Sequence, residues 1–170
     1  MDTETFREVQ APLKALYRQD ADAAVITLAA SGDLDADGVA CRVETVRALA
    51  TAGLHPATGG DGTLACSGDM LLEALVACAG VTLRAVALAI GADIDGGRVW
   101  AEGDLDFRGT LGVSKDAPVG FREIRLHFEL DTQADDEVLA TLLRLTERYC
   151  VVLQTLRGGV SVTAEAVARR

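Results

Sequence analysis

The sequence predicts an α+β domain in which a curved antiparallel sheet packs on two long central helices. Three observations lead there. Short segments alternate apolar and polar residues with a period of two, as half-buried strands do. Two longer segments are too broadly apolar for a single surface stripe, which marks buried helices. Glycine pairs at Gly59-Gly60, Gly96-Gly97 and Gly158-Gly159 fall between these segments as turns and caps. A chain of 170 residues with 49% hydrophobic content buries about 70% of its unfolded surface, so neither disulfides nor metal are needed to hold it.

The elements follow in order. A capping-box pattern, Thr5 with Glu8, opens a helix over residues 4–19 that Pro12 kinks or divides. Strands are expected at Ala24–Ala30 and Val39–Val46, joined as a hairpin by the turn Gly32–Gly38, and residues 47–62 carry no regular pattern. Ser67 then caps a helix that runs to about Ile90 and stops at Gly91, with Asp69 and Glu73 near its positive end. Strands return at Arg98–Phe107 and Phe121–Leu130, each with one dry and one wet face. A second long helix starts at a cap at Asp135 or Asp136 and passes through Cys150 to Leu156. A strand over Val160–Val167 ends the chain. With no internal repeat or linker, the reading is one domain over 1–170, with residues 1–22 as a helical extension and 24–167 as the core.

Charge and composition narrow the partners. Asp and Glu outnumber Lys and Arg by 26 to 16, a net charge of −10 that opposes binding to a phosphate backbone. The apolar run Met70–Ile90 contains Glu73 and Arg84, and a charge at a bilayer centre costs about 2.5–3.5 kcal/mol, so a core helix is expected in place of a membrane span. The opening residues lack a secretory pattern, which points to the cytoplasm. Cys41, Cys66, Cys78 and Cys150 are spaced 25, 12 and 72 residues apart, and His55 and His127 are the only histidines, so no metal site is expected. Gly59-Gly60-Asp61-Gly62 lacks the Lys-Ser/Thr of a phosphate loop, and no cofactor is expected.

Cys41, on an apolar strand face, reads as a core residue. Cys66 stands beside the proposed cap Ser67, where helix-end N–H groups can acidify a thiol, and His55 lies in the loop upstream. Cys78 and Cys150 lie near the middles of the two most apolar helices. A thiol pair so placed can reduce a peroxide: one thiolate attacks the O–O bond, becomes a sulfenic acid, and the other thiol condenses with it.

The stretch Ser67-Gly68-Asp69-Met70-Leu71-Leu72-Glu73-Ala74-Leu75-Val76-Ala77-Cys78-Ala79-Gly80-Val81-Thr82-Leu83 resembles the first cysteine helix of the OsmC/Ohr family, the osmotically inducible and organic-hydroperoxide-resistance proteins. Glu147-Arg148-Tyr149-Cys150-Val151-Val152-Leu153-Gln154-Thr155-Leu156 is similar to its second. The resemblance spans about residues 24–167. It implies a domain-swapped homodimer and a thiol-dependent peroxidase acting on organic hydroperoxides, with Cys78 peroxidatic, Cys150 resolving and an external thiol or dithiol as reductant. Two helices apolar nearly all round favour a homodimer independently.

The chain also departs from that pattern. The turn Gly32-Asp33-Leu34-Asp35-Ala36-Asp37-Gly38 is acidic where peroxidase members carry an Arg, and Gly68 stands where they carry an acid. Val151 replaces a common Pro, which leaves the second helix free to continue unbroken. Candidate substitutes are Arg47, which shares strand parity with Cys41, and Glu73; Arg42 has the opposite parity. Arg84 and Arg148 are expected to pair with Asp or Glu across the dimer or in solvent. The alternative to peroxidase chemistry is a protein of this fold that binds a small hydrophobic or thiol ligand between its central helices.

Overall fold

The computed structural model describes residues 4, 5, 8, 11, 12, 15, 19, 31–34, 40–44, 49–112 and 114–168. The described positions between 4 and 19, Glu4 to Gln19, carry helical backbone and are exposed. The first sheet has four strands in the order β1 (Ser31–Leu34), β2 (Ala40–Glu44), β3 (Leu49–Gly53) and β4 (Ala65–Cys66). β1 to β3 pair antiparallel, with Leu34 opposite Cys41 and Cys41 opposite Ala52, and β3 and β4 pair parallel.

This corrects the N-terminal expectation in two places. Ser31–Leu34, assigned mainly to a turn, is a strand, and Leu49–Gly53 is a third strand inside the stretch read as irregular. Its sequence Leu-Ala-Thr-Ala-Gly has little alternation to detect, and its pairing with β2 decides its conformation. The strand expected at residues 24–30 lies outside the described residues.

Helix α1 (Ser67–Ile90) closes at Gly91, whose φ of 75° is left-handed, as expected from sequence. Its N-cap is Cys66, not Ser67, and no side chain caps it. Leu75, Ala79, Leu83, Val86 and Ala87 form its buried stripe, the spacing of one helical face.

That stripe packs on a two-stranded sheet, β5 (Gly96–Leu105) and β6 (Phe121–Asp131). The cross-strand pairs Val99 with Phe128 and Ala101 with Leu126 belong to the helix side. The opposite parity pairs Arg98 with Glu129, Trp100 with His127 and Glu102 with Arg125. There the His127 ring stacks on Trp100 at 5.0 Å, and Arg125 grips Asp104 at 2.6 and 2.9 Å. Gly97 is required where it stands: its φ is 137° and a Cβ would meet the Glu129 carbonyl oxygen at 2.2 Å.

Phe107, expected to end β5, instead opens a short helix, α2 (Phe107–Thr110). Asp106 is responsible. Its carboxylate accepts from the Arg108 backbone N–H at 3.2 Å and from the guanidinium at 2.6 Å, ending the strand and starting a turn. The Arg108 hydrogen bonds hold the Asp106 carboxyl down to about 2. A depressed carboxyl stabilises the fold above its unfolded value of about 3.9, and this contribution fades as pH falls toward 2. Carboxyl titration by NMR is expected to give a midpoint near 2 for Asp106; a midpoint near 4 would show the pair absent in solution.

The C-terminal part brings the largest correction. The second helix is two, α3 (Asp136–Tyr149) and α4 (Val151–Gly158), with Cys150 extended between them at φ −71° and ψ 107°. Asp135 caps α3 as expected, accepting from Val138 N–H at 2.8 Å. Cys150 N–H still donates to Thr146 and Gln154 N–H to the Cys150 carbonyl, so each helix closes on its own side of the break. Gln154 Nε2 donates to the Glu147 carbonyl at 2.7 Å, satisfying one acceptor at the end of α3. No proline or glycine marks this junction; side chains from α4 and the burial of Cys150 hold it.

The expected strand at Val160–Val167 is also absent: residues 160–168 are irregular and exposed. Val162 is 82% and Val167 89% exposed. Among the described residues no strand edge pairs with this segment, and unpaired backbone groups give an apolar alternation nothing to form a ladder with. In place of one curved sheet, the described strands form two small ones.

Candidate functional site

The site lies where α1, α3 and α4 meet over β5 and β6. Leu75, Ala79 and Cys150 are fully buried in one cluster, and Cys78, Val99, Ala101, Leu126 and Leu153 are among the partly buried residues around it. Cys78 therefore reaches Cys150 although 72 residues separate them. Both are free thiols.

Cys78 sits mid-helix, too far along α1 to feel that helix's N-terminus. The break at Cys150 supplies another. The first turn of α4 has N–H groups with no intrahelical acceptor, and those of Val152 and Val151, with the Cys150 thiol and the Thr82 hydroxyl, favour a charged Cys78 sulfur. Burial pushes the Cys78 thiol up, but these donors outweigh it and hold Cys78 below the usual thiol range. Burial also pushes Cys150 up, its neighbour's charge adds to this, and Cys150 stays above that range. The two thiols are thus unlike, with Cys78 the readier thiolate and Cys150 the readier proton carrier.

Beside them lies an apolar cavity of ≈ 700 Å³. Leu126, Phe128, Leu142 and Leu156 line it, Leu75 and Leu153 join it to the thiol cluster, and Glu147 and Arg157 are among its polar residues, paired at 2.9 Å.

The other sequence candidates are placed elsewhere. Glu73 is exposed in a shallow depression with Asp69, Trp100 and Ala101, and no hydrogen bond joins it to either thiol. Arg47 lies outside the described residues, and so does the Arg42 side chain. Within one chain the Arg84 guanidinium donates to the Ile94 carbonyl, which it reaches across the end of α1. Arg148 likewise lies over the Tyr149 ring at 5.4 Å. His55 accepts from Ala57 N–H at 3.0 Å and stacks on Phe107, a turn-forming role. Sequence reasoning missed the α4 donors, because nothing in the residue types announces the break. Thr82 could have been found from its spacing, four residues after Cys78.

Against known proteins, the OsmC-like protein family profile matches residues 60–165. The chain belongs to that family. The OsmC-like fold is also seen in solved structures. An OsmC-like protein from Mycoplasma pneumoniae is 20% identical, with a TM-score of 0.65 over 79% of this chain and 89% of that one. An organic hydroperoxide resistance protein OsmC from Legionella pneumophila is 14% identical, with a TM-score of 0.62 over 79% and 93%. An organic hydroperoxide resistance protein from Elizabethkingia anophelis, with thiocyanate bound, is 14% identical with a TM-score of 0.64 over 79% and 91%. No curated protein matches the chain. Helix α1 has the length and apolarity to cross a membrane; in this fold it packs on β5, β6, α3 and α4.

Proposed function

We propose that this OsmC-like protein reduces organic hydroperoxides through Cys78 and Cys150. The observation that carries the reading is the packing of two free thiols, Cys78 and the fully buried Cys150, in one cluster, with Cys78 held below and Cys150 above the usual thiol range. The Cys78 thiolate attacks one oxygen of ROOH; the O–O bond breaks, Cys78 becomes a sulfenic acid and RO⁻ takes a proton to leave as ROH. The Cys150 sulfur then displaces the hydroxyl of the sulfenic acid, a disulfide forms and water leaves. A thiol or dithiol reductant restores both thiols by exchange, as it would in a cytoplasm that keeps thiols reduced. The cavity, which shares Leu75 and Leu153 with the thiol cluster, offers room for an apolar R group.

One equivalent of cumene hydroperoxide is expected to remove two hydrogens from the reduced protein, with peptide mapping locating the bridge between Cys78 and Cys150. Four unchanged thiols after long exposure would withdraw the reading. The cavity would then favour the second one, binding of a small apolar ligand, which native mass spectrometry would reveal as a retained molecule.

We also propose a homodimer. Only 28% of the most apolar window of α1 is buried within one chain, and Val81 and Val151 are 73% and 70% exposed. Burying that surface against a second copy is strongly favourable. An intertwined arrangement would give residues 160–168 a partner's strand edge to pair with. Native mass at micromolar concentration is expected to equal two chains; one chain would remove the proposal.

A further inference from the structure

We propose that Gln154 and Arg157 of α4 are positioning residues for Cys150: by fastening α4 to Glu147 they hold the Cys150 sulfur where it can close on Cys78. This deepens the peroxidase reading and rests on it for its biological purpose.

The break between α3 and α4 is a single residue. Cys150 is extended at φ −71° and ψ 107°, with a helix on either side. Its N–H donates back to the Thr146 carbonyl, and its carbonyl accepts from Gln154 N–H. Each of these bonds closes its own helix, and neither fixes the angle between the two. Rotation about φ turns the Cys150 side chain relative to α3, and rotation about ψ turns it relative to α4. The direction of the thiol and the angle of the bend are therefore set by the same two torsions.

Two side-chain hydrogen bonds cross the break, and both end on Glu147. Gln154 Nε2 donates to the Glu147 carbonyl at 2.7 Å, and Arg157 Nη1 donates to the Glu147 carboxylate at 2.9 Å. The donors are three residues apart on α4, hence on one face. The acceptors belong to one residue in the last turn of α3, where carbonyls lack intrahelical donors and a cation is favoured. Two attachment points resist a rotation that a single bond would allow.

The strap acts on the thiol cluster through α4. Cys150 is fully buried there with Cys78 beside it, and Leu153, the neighbour of Gln154 in the chain, packs on the same cluster. A disulfide requires Cα atoms about 4.4–6.8 Å apart, so a small change of bend carries the thiols out of range. Holding two reacting groups in place raises their effective concentration. As a source of stability the ion pair is minor, because Arg157 and Glu147 are 55% and 40% exposed. Its consequence is geometric.

The test uses full-length protein equilibrated with reduced and oxidised glutathione and quenched with acid. Mass mapping then measures the Cys78–Cys150 bridge in wild type, Q154M, R157M, R157K and Q154M/R157M. On closure the two thiols give two electrons and two protons to glutathione disulfide, which leaves as two glutathione thiols. Methionine fills much of the space of either side chain and removes its donors. Q154M and R157M are each expected to lower the closure constant about threefold, and Q154M/R157M about tenfold. R157K keeps the cation and is expected to stay near wild type.

Melting temperatures are measured in parallel, since a merely structural strap would lower Tm and leave the closure constant of the folded protein unchanged. An unchanged constant in Q154M/R157M, whatever its Tm, overturns the assignment. So does a constant as low in R157K as in R157M, or a wild-type protein that forms no Cys78–Cys150 bridge. The single variants carry the comparison if the double variant fails to fold. Hydroperoxide consumption is followed separately. A protein that forms the bridge with glutathione and consumes no hydroperoxide fails the peroxidase reading, while the closure constants still decide the strap.

Discussion

Replacing Cys78 by serine is expected to lower hydroperoxide consumption on the order of a thousandfold or more, the scale on which loss of a nucleophile acts. A serine hydroxyl is not ionised near neutral pH and the site holds no described base against it, so the α4 donors would have no anion to stabilise. Cys150→Ser separates the two steps. It is expected to consume about one equivalent of hydroperoxide, leave Cys78 with one added oxygen atom and form no bridge. The two variants together distinguish a pair in which each thiol has its own step from a pair of packing residues. A Cys78→Ser protein that still consumed hydroperoxide at the wild-type rate would exclude Cys78 as the nucleophile.

Leu142→Ala is expected to give the largest loss of stability. Leu142 is 1% exposed and packs with Leu83, Val86, Ala87 and Ile94, where α3 crosses α1. Removing a buried leucine side chain costs about 2–5 kcal/mol, through lost transfer free energy and the cavity left behind. For a domain of this size that lowers Tm by about 5–15 °C. The thiol cluster is a separate group built on Leu75, Ala79 and Cys150. Below its melting transition, the variant is therefore expected to keep the reactivity order of Cys78 before Cys150. An unchanged Tm would mean that α3 does not pack there in solution, and with it the placement of Cys150 would fall.

The candidate site was half legible in the sequence. Cys78 and Cys150 stood out because a nucleophile in the middle of an apolar helix is unusual, and two such helices in one chain must find each other to be buried. The source of the acidity was not legible. The residue types pointed to an activating Arg paired with an acid, and so to Arg47 and Glu73. The groups that draw Cys78 down are instead two backbone N–H groups, a hydroxyl and the other thiol. Backbone donors have no residue signature, and they exist here only because the chain turns at Cys150. Val151 in place of proline suggested an unbroken helix. The break is held by Gln154 and by the packing of Cys150 on Leu75 and Ala79, neither of which local propensity registers.

What the sequence determined by itself was whatever repeats at short range. The stripe of α1 with its stop at Gly91, the cap at Asp135 and the two-faced register of β5 and β6 all follow from neighbours a few residues apart. What the tertiary structure decided was whatever depends on a distant partner. β3 is a strand because β2 lies beside it, residues 160–168 are not one because no described edge does, and Cys78 is held below the usual thiol range in part by N–H groups of a helix that begins 73 residues later. Local pattern fixes which faces must be buried. Only packing chooses what they are buried against, and the chemistry of a buried thiol is set by that choice.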